Sequence, residues 1–413
     1  MLLMVATVLG PALIGSASDN SSREGNAIRP APADTSFTNV YKSPLGLEGL
    51  TGDSRGNLYS TGRGGNPCPV TRVPVSGGVP EVVGNVPAPC SPSGIAFDAA
   101  GRLYVADGDE VLVLTPDAGN PPTATVFAGG VPGANGIAFY RRGDVWVSDG
   151  TTGQGRVWRV GSDGEPTEVF RVQPMANEVN LVNGVGGIGR DVRSLPPGTV
   201  LITPDSRAAS NTAGSQPLVA NGLAFSNEGS LYVADTARGA IWRVRFNRNG
   251  ELRSPVGCDT TFTANTLCLH SVFVAHPFLE GVDGIALDRA GNIWGAANER
   301  NAIVVATPHR RVIEFFRNQP DDQTQLRNGG PMEFPTSPFL SGRRLCITHS
   351  DGNRRDDSPN GGGEVGPGLT KSRRSPAWIG RWQQAGCRSP SARPAVRRTH
   401  PHRSRRRRRA RRD

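Results

Sequence analysis

Glu48, Ser93, Asn135, Asn221, Asp283 and the pair Thr336–Ser337 occupy one slot of a pattern that recurs along the chain. Carboxylates and carboxamides at that slot offer only hard oxygen donors. One Glu, one Asp and two Asn, brought together, suit Ca²⁺ first, then Mg²⁺, and Mn²⁺ or Zn²⁺ where water fills open positions. A simpler account is that Asn-Gly and Asp-Gly only make turns. It covers Asn135, Asn221 and Asp283, but leaves Glu48 in the aligned slot unexplained. Asp283 combines two abilities, because a carboxylate can hold a cation and accept a proton. These residue types predict one divalent-cation site, with Asp283 as its candidate catalytic group.

The elements that must position them are strands. PSGIAFDAAGRLYVADG (92–108) returns as ANGIAFYRRGDVWVSDG (134–150), ANGLAFSNEGSLYVADT (220–236) and VDGIALDRAGNIWGAAN (282–298). GLEGLTGDSRGNLYSTG (46–62) is a divergent first copy and FPTSPFLSGRRLCITHS (334–350) a weaker last one. In each, a short apolar strand ends at a polar turn with Gly, and a β-branched and aromatic strand follows. Third strands are expected at 111–114, 156–160, 240–244 and 302–305, and fourth strands at 123–127, 167–170 and 312–316. Four short antiparallel strands per repeat make a propeller blade. The expected fold is all-β, a six-bladed β-propeller over residues 35–368. The first strand of each blade starts at the channel mouth, so the slot residues converge there.

Two places break the pattern. From Asn135 to Asn221 the spacing is about two blades, so an insertion is expected around 172–219, with a degenerate seventh blade at 182–205 as the alternative. The last blade can take its outer strand from 36–41. Its remaining strand should follow Gly368, where no strand pattern exists, which would leave a sheet edge open.

Composition agrees with an all-β chain. The 413 residues include 53 Gly and 34 Pro, a density that breaks helices. The net charge of +10 is misleading, because residues 371–413 hold 16 Lys or Arg and one acid. That segment carries +15 and leaves the preceding residues at −5. Residues 369–413 read as a disordered, Arg-rich, low-complexity tail. Its Arg, Pro, Ser and Ala dominance, in a chain with two Lys, is what an out-of-frame reading of GC-rich coding sequence yields. No nucleic-acid partner is expected from it. Residues 1–18 read as a secretory signal, an apolar run ending in small residues and too short to span a bilayer. The cysteines fit a secreted protein: Cys68 with Cys90 and Cys258 with Cys268 flank loops and make plausible local disulfides. Cys346 has no evident partner except Cys387.

The N-G-[IL]-A-F and D-G-I-A-L repeats, with L-Y-V-A-D between, resemble the senescence marker protein/gluconolactonase family, which includes regucalcin-like lactonases. The resemblance covers about residues 40–365. It implies that Glu48, Asn135, Asn221 and Asp283, on blades one, three, four and five, hold one central cation. Asn183, in VNGVGG, competes with Asn135 for the blade-three place. It also implies a lactone or related ester as substrate. The family tends to follow the first Glu with Ser-Pro-x-Trp and to place an Arg just before the blade-three Asn. Here Gly49-Leu50 and Gly133-Ala134 stand instead, so no sugar-binding residues carry over.

The expected activity is metal-dependent hydrolysis of a lactone or ester. The alternative is a non-catalytic binding propeller of the NHL type, whose PxGIAxDxxGxLYVAD repeat is similar. Of the six His, His270 and His276 flank a loop and strand edge, His309 lies in a turn, His349 ends a strand, and His400 and His402 lie in the tail. No G-x-S-x-G elbow and no phosphate-binding Gly loop after a strand occurs.

Overall fold

Alternating and continuous apolar runs bounded by Gly-containing turns fold into 24 short strands among the described residues. The computed structural model describes residues 28–32, 35, 37–74, 78–140, 143–173, 218–260, 262–319, 330–332, 334–341 and 344–350, with 375–381 described as backbone. Strand β1 (Phe37–Ser43) stands apart. Then come β2 (Gly46–Gly52), β3 (Leu58–Arg63), β4 (Cys68–Val73) and β5 (Glu81–Val86). The second sheet is β6 (Pro92–Phe97), β7 (Leu103–Asp107), β8 (Glu110–Leu114) and β9 (Thr125–Gly129). The third is β10 (Ala134–Phe139), β11 (Val145–Asp149), β12 (Arg156–Val160) and β13 (Pro166–Arg171). The fourth is β14 (Leu223–Phe225), β15 (Leu231–Asp235), β16 (Ala240–Val244) and β17 (Val272–Ala275), and the fifth β18 (Val282–Leu287), β19 (Ile293–Ala297), β20 (Ala302–Ala306) and β21 (Val312–Arg317). Last come β22 (Pro335–Ser341), β23 (Arg344–His349) and β24 (Ser375–Arg381). Helix is confined to 3-10 turns at Leu269–Ser271, Pro277–Leu279 and Asn298–Arg300 among the described residues.

The chain is an all-β propeller of four-stranded antiparallel sheets. Five blades, rather than the six expected, are each built from four consecutive strands. The last repeat copy supplies only β22 and β23, and its sheet has the composite order β1-β24-β23-β22. The expected outer strand at 36–41 is β1. The expected open edge is corrected: β24 fills it, pairing Trp378 with Ile347 on one side and with Asn39 on the other. SPAWIGR carries Pro and Arg around a short apolar centre, so its local pattern is weak. A place between two strands supplies ladder partners on both sides. The seventh-blade alternative at 182–205, the signal segment 1–18 and the basic residues after 381 lie outside the described residues.

The hairpin between first and second strands is set by an Asp and a Gly. Asp53 Oδ1 accepts from the amides of Arg55 and Asn57 at 2.9 Å each. Asp98 does the same in the second sheet and Asp288 in the fifth. Gly56, Gly101 and Gly291 follow at φ of 80–88°, where a side chain would be strained. Burial pushes the Asp53 and Asp98 carboxyls up, but these hydrogen bonds outweigh it and hold both below their ordinary range.

The core lies between neighbouring sheets. Tyr104, Ala106 and Val111 of the second sheet meet Ile137, Val145, Val147 and Trp158 of the third. Comparable clusters join the first to the second, the third to the fourth and the fourth to the fifth. Because both faces are covered, middle strands such as β11, β15 and β20 are buried throughout. Leu50, Leu58 and Val73 pack against Cys346 and Phe339 of the composite sheet. Around the axis β2 lies beside β6, β6 beside β10, β10 beside β14, β14 beside β18, β18 beside β22, and β22 beside β2.

Both expected disulfides are present, Cys68–Cys90 and Cys258–Cys268. The first ties β4 to the loop before β6. The second closes a loop between β16 and β17. Cys346 is buried in β23, and burial pushes its thiol up to about 12. Cross-linking residues 22 apart restricts the unfolded chain. Replacing Cys68 and Cys90 together by Ala is therefore expected to cost about 3 kcal/mol. Thermal unfolding of the double variant checks this, and an unchanged midpoint would contradict it.

Candidate functional site

Five of the six slots sit where their strand bulges, and Asn221 lies just before its strand. The pairing of β2 with β3 shifts register between Leu47 and Leu50, which frees Glu48 and Gly49 from the ladder. Shifts between Pro92 and Ile95, Ala134 and Ile137, Val282 and Ile285, and Pro335 and Pro338 free Ser93-Gly94, Asn135-Gly136, Asp283-Gly284 and Thr336-Ser337. Asn221-Gly222 immediately precede β14. A bulge re-aims a side chain that would otherwise point into a neighbouring blade. The Asn-Gly and Asp-Gly pairs are thus not hairpin turns, and the turn account of them is corrected.

The glycines have another purpose. A Cβ on Gly49 or Gly94 would stand 2.3 Å from the carbonyl oxygen of Ser93 or Asn135, the slot residue of the next blade. On Gly136 and Gly222 it would stand 2.4 Å from the carbonyls of Asn221 and Asp283, and on Gly284 2.6 Å from that of Thr336. The last step returns to the start: Thr336 and Thr348 donate their hydroxyls to the Glu48 carbonyl at 2.9 and 2.7 Å. Hydroxyls from second strands brace the same backbone. Ser60 donates to Gly49 O at 2.8 Å, Ser148 to Asn221 O at 2.5 Å, and Thr236 to Val282 O at 2.7 Å.

Glu48, Asn135, Asn221 and Asp283 line one cavity, together with Ser337. The structure thereby brings together four of the five sequence-predicted site residues; Asn183 lies outside the described residues. Asn221 and Asp283 are buried, at 1% and 7% exposure. Asn221 Nδ2 donates to Thr236 Oγ1 at 3.0 Å, and its Oδ1 is buried without a hydrogen-bond partner. Glu48 Oε2 is likewise buried without one. Asp283 Oδ2 accepts from Asn298 Nδ2 at 3.2 Å. Gly150 leaves room for the Asn135 carboxamide, since a Cβ there would meet Nδ2 at 2.3 Å. Burial first, and the Glu48 carboxylate second, raise the Asp283 carboxyl well above its ordinary range, against the pull of Asn298 and Arg63.

Two carboxylates and two carboxamides make this a hard-oxygen set. Among the described residues no group of three or more His, Cys, Asp or Glu could hold a metal ion, so the amide oxygens must take part. The orphaned Glu48 Oε2 and Asn221 Oδ1 fit a hard cation, because each lacks the hydrogen bond that a buried oxygen otherwise requires.

Sequence reasoning did not reach Arg63, Asn298 or Thr236. Arg63 Nη1 is 3.2 Å from Glu48 Oε1. Asn298 and Thr236 each close a repeat copy, and that shared position was the available signal. Among the described residues no histidine lines the cavity. His276 Nδ1 accepts from the Phe278 amide at 3.1 Å, and burial lowers its pKa. His270 and His309 are exposed, and His349 is buried opposite Pro335.

Fold and site define a class, the β-propeller with a ring of acidic and carboxamide side chains at its axis. The chain belongs to the SMP-30/Gluconolactonase/LRE-like family, whose model matches residues 70–331. That span contains Asn135, Asn221 and Asp283, and Glu48 precedes it. No curated protein matches the chain. Among solved structures it is similar to a luciferin-regenerating enzyme at 14% identity, covering 84% of this chain and 95% of that one with a TM-score of 0.50. A regucalcin from Agrobacterium tumefaciens, described as a calcium-binding protein, is 16% identical, covering 86% and 97% with a TM-score of 0.49. A gluconolactonase from Xanthomonas campestris is also 16% identical, covering 86% and 95% with a TM-score of 0.49. These likenesses concern the fold.

Proposed function

We propose that the protein is a hydrolase of a lactone or related ester that works with one divalent cation, Ca²⁺ first, in its channel. The observation that carries this reading is the convergence of Glu48, Asn135, Asn221 and Asp283 on one cavity, with two buried oxygens lacking partners. These four residues would hold the ion. A cation bound there supplies polarisation of an ester carbonyl and activation of water. Asp283, whose carboxyl tends to keep a proton, is the group suited to accept one and return it to the leaving alkoxide. Asn298 fixes the orientation of that carboxylate, and Thr236 that of the Asn221 amide. The composite sheet takes part in the site, since its hydroxyls hold the Glu48 backbone.

The substrate on this reading is a small molecule that reaches the cavity from solvent. Two disulfides favour an oxidising, extracytoplasmic setting, in keeping with a secreted protein. Among the described residues no helix is long and apolar enough to cross a membrane. One observation favours the second reading, a binding propeller without chemistry: Gly49-Leu50 and Gly133-Ala134 replace the residues that lactonases of the family tend to carry. The test is a panel of lactones and esters assayed with added Ca²⁺ and with chelator. Turnover lost on chelation and restored by the metal is expected. No turnover on any member, with a cation bound, would leave the binding propeller as the account.

A further inference from the structure

Arg63 ends β3 and faces Gly46 across the ladder, beside the bulge that carries Glu48. Its Nη1 is 3.2 Å from Glu48 Oε1, and its Nη2 donates to Ser91 Oγ at 2.8 Å. Ser91 is itself anchored, since its amide donates to Asp107 Oδ1 at 2.6 Å. The Arg63 side chain is 33% exposed and that of Glu48 14%. The guanidinium is the more exposed of the pair; Glu48 is its ion-pair partner and Ser91 its neutral one, and its charge also acts on Asp107 and Asp283 through space. Glu48 Oε2 remains buried without a partner on the other side.

Arg63 is thus positioned as the resident counter-ion of Glu48. A divalent cation taking that carboxylate would face the positive charge of Arg63, which already holds one of the same oxygens at 3.2 Å. Once the cation wins, Arg63 keeps its hydrogen bond to Ser91 and the through-space pull of Asp107, and the rest of its planar donor fork is available to an oxyanion arriving from solvent. From this arrangement we propose that Arg63 is a specificity-determining residue, which opposes the channel cation when the site is empty of substrate and binds a carboxylate group of the substrate when the cation is present. The inference deepens the hydrolase reading and rests on it, and it assigns to that site a substrate bearing a negative charge.

The experiment is calorimetric titration of the full chain, wild type, Arg63→Gln and Arg63→Lys, first with Ca²⁺ alone and then, loaded with excess Ca²⁺, with D-gluconate as the carboxylate probe. Loss of one partly exposed positive charge beside the site should tighten Ca²⁺ binding in Arg63→Gln by roughly 3- to 10-fold. Arg63→Lys should keep the wild-type Ca²⁺ affinity. Gluconate should bind the loaded wild type and bind Arg63→Gln about 10-fold more weakly. Unchanged or weaker Ca²⁺ binding in Arg63→Gln, with wild-type binding intact, overturns this inference alone. So does gluconate binding that is absent from the wild type or indifferent to Arg63→Gln. A wild type that binds no Ca²⁺ removes the cation reading and this inference together. Circular dichroism of both variants separates a folding defect, and Arg63→Lys retains the charge if the Gln variant does not fold.

Discussion

Asp283→Asn and Glu48→Gln are each expected to weaken Ca²⁺ binding by on the order of 100-fold, because each removes one of the two formal charges in the ring. Calorimetry or elemental analysis of the purified variants measures this. Retained wild-type affinity in both would remove the site from the channel. The two carboxylates also make the result depend on pH. Burial and Glu48 hold the Asp283 carboxyl well above its ordinary range. A proton therefore competes with the cation there, and Ca²⁺ affinity should fall as pH drops through that raised value. Asp283→Asn should lack this dependence.

The same shift fixes the sign of a stability effect. A carboxyl whose folded-state pKa lies above its unfolded value stabilises the fold below the unfolded value. That contribution is lost as pH rises through the folded value. At neutral pH and in chelator, Asp283 is then a burden, and Asp283→Asn should unfold at a higher temperature than the wild type. With Ca²⁺ in excess the order should reverse, since binding to the folded state stabilises only a protein that binds. Thermal unfolding of both proteins under both conditions reads the crossing directly. A variant less stable than the wild type in chelator would mean that Asp283 has a structural partner stronger than its burial penalty.

Gly222→Ala should be the most damaging single methyl in the molecule's inner ring. The new Cβ would stand 2.4 Å from Asp283 O and 2.8 Å from Gly284 Cα and Ile285 N. All three obstacles are backbone, so no side chain can turn aside. Spreading β14 from β18 is expected to cost about 3 kcal/mol and to move Asn221 and Asp283 apart, lowering Ca²⁺ affinity as well. Gly101→Ala is the control. Gly101 has φ of 82°, but nothing lies within 4 Å of a Cβ there. It should cost about 1 kcal/mol of backbone strain and leave the cation site intact. Equal losses in the two variants would show that the inner-strand glycines serve only conformation, not blade-to-blade contact. The comparison uses chemical or thermal unfolding together with Ca²⁺ titration.

Much of the blade plan was legible locally. In LYVAD and VWVSD the β-branched and aromatic runs mark strands that are covered on both faces. Asp98 and Gly101, at fixed offsets, mark the hairpin that joins two of them. Fourth strands were harder. Glu81–Val86 and Val272–Ala275 lie at the outer edge, and Val272–Ala275 follows a disulfide-closed loop that separates it from its blade. Asn-Gly was ambiguous because the same dipeptide serves a tight turn and a close approach of two backbones. Only the neighbouring carbonyl distinguishes them.

What the sequence by itself determined is the repeat, and with it the strand order, the slot and the hard-oxygen character of Glu48, Asn135, Asn221 and Asp283. It could do so because each of the five continuous blades is made of neighbours in the chain, whose period and turns are local properties. The tertiary structure decided what depends on distant segments. Strand β24 lies between β1 and β23 although hundreds of residues separate it from β1, and its own sequence carries no pattern strong enough to announce it. The bulges that carry Glu48, Asn135 and Asp283 into one cavity with Asn221, the carbonyls that forbid a Cβ at each slot glycine, and the pairing of Arg63 with Glu48 arise only when the ring brings its inner strands side by side.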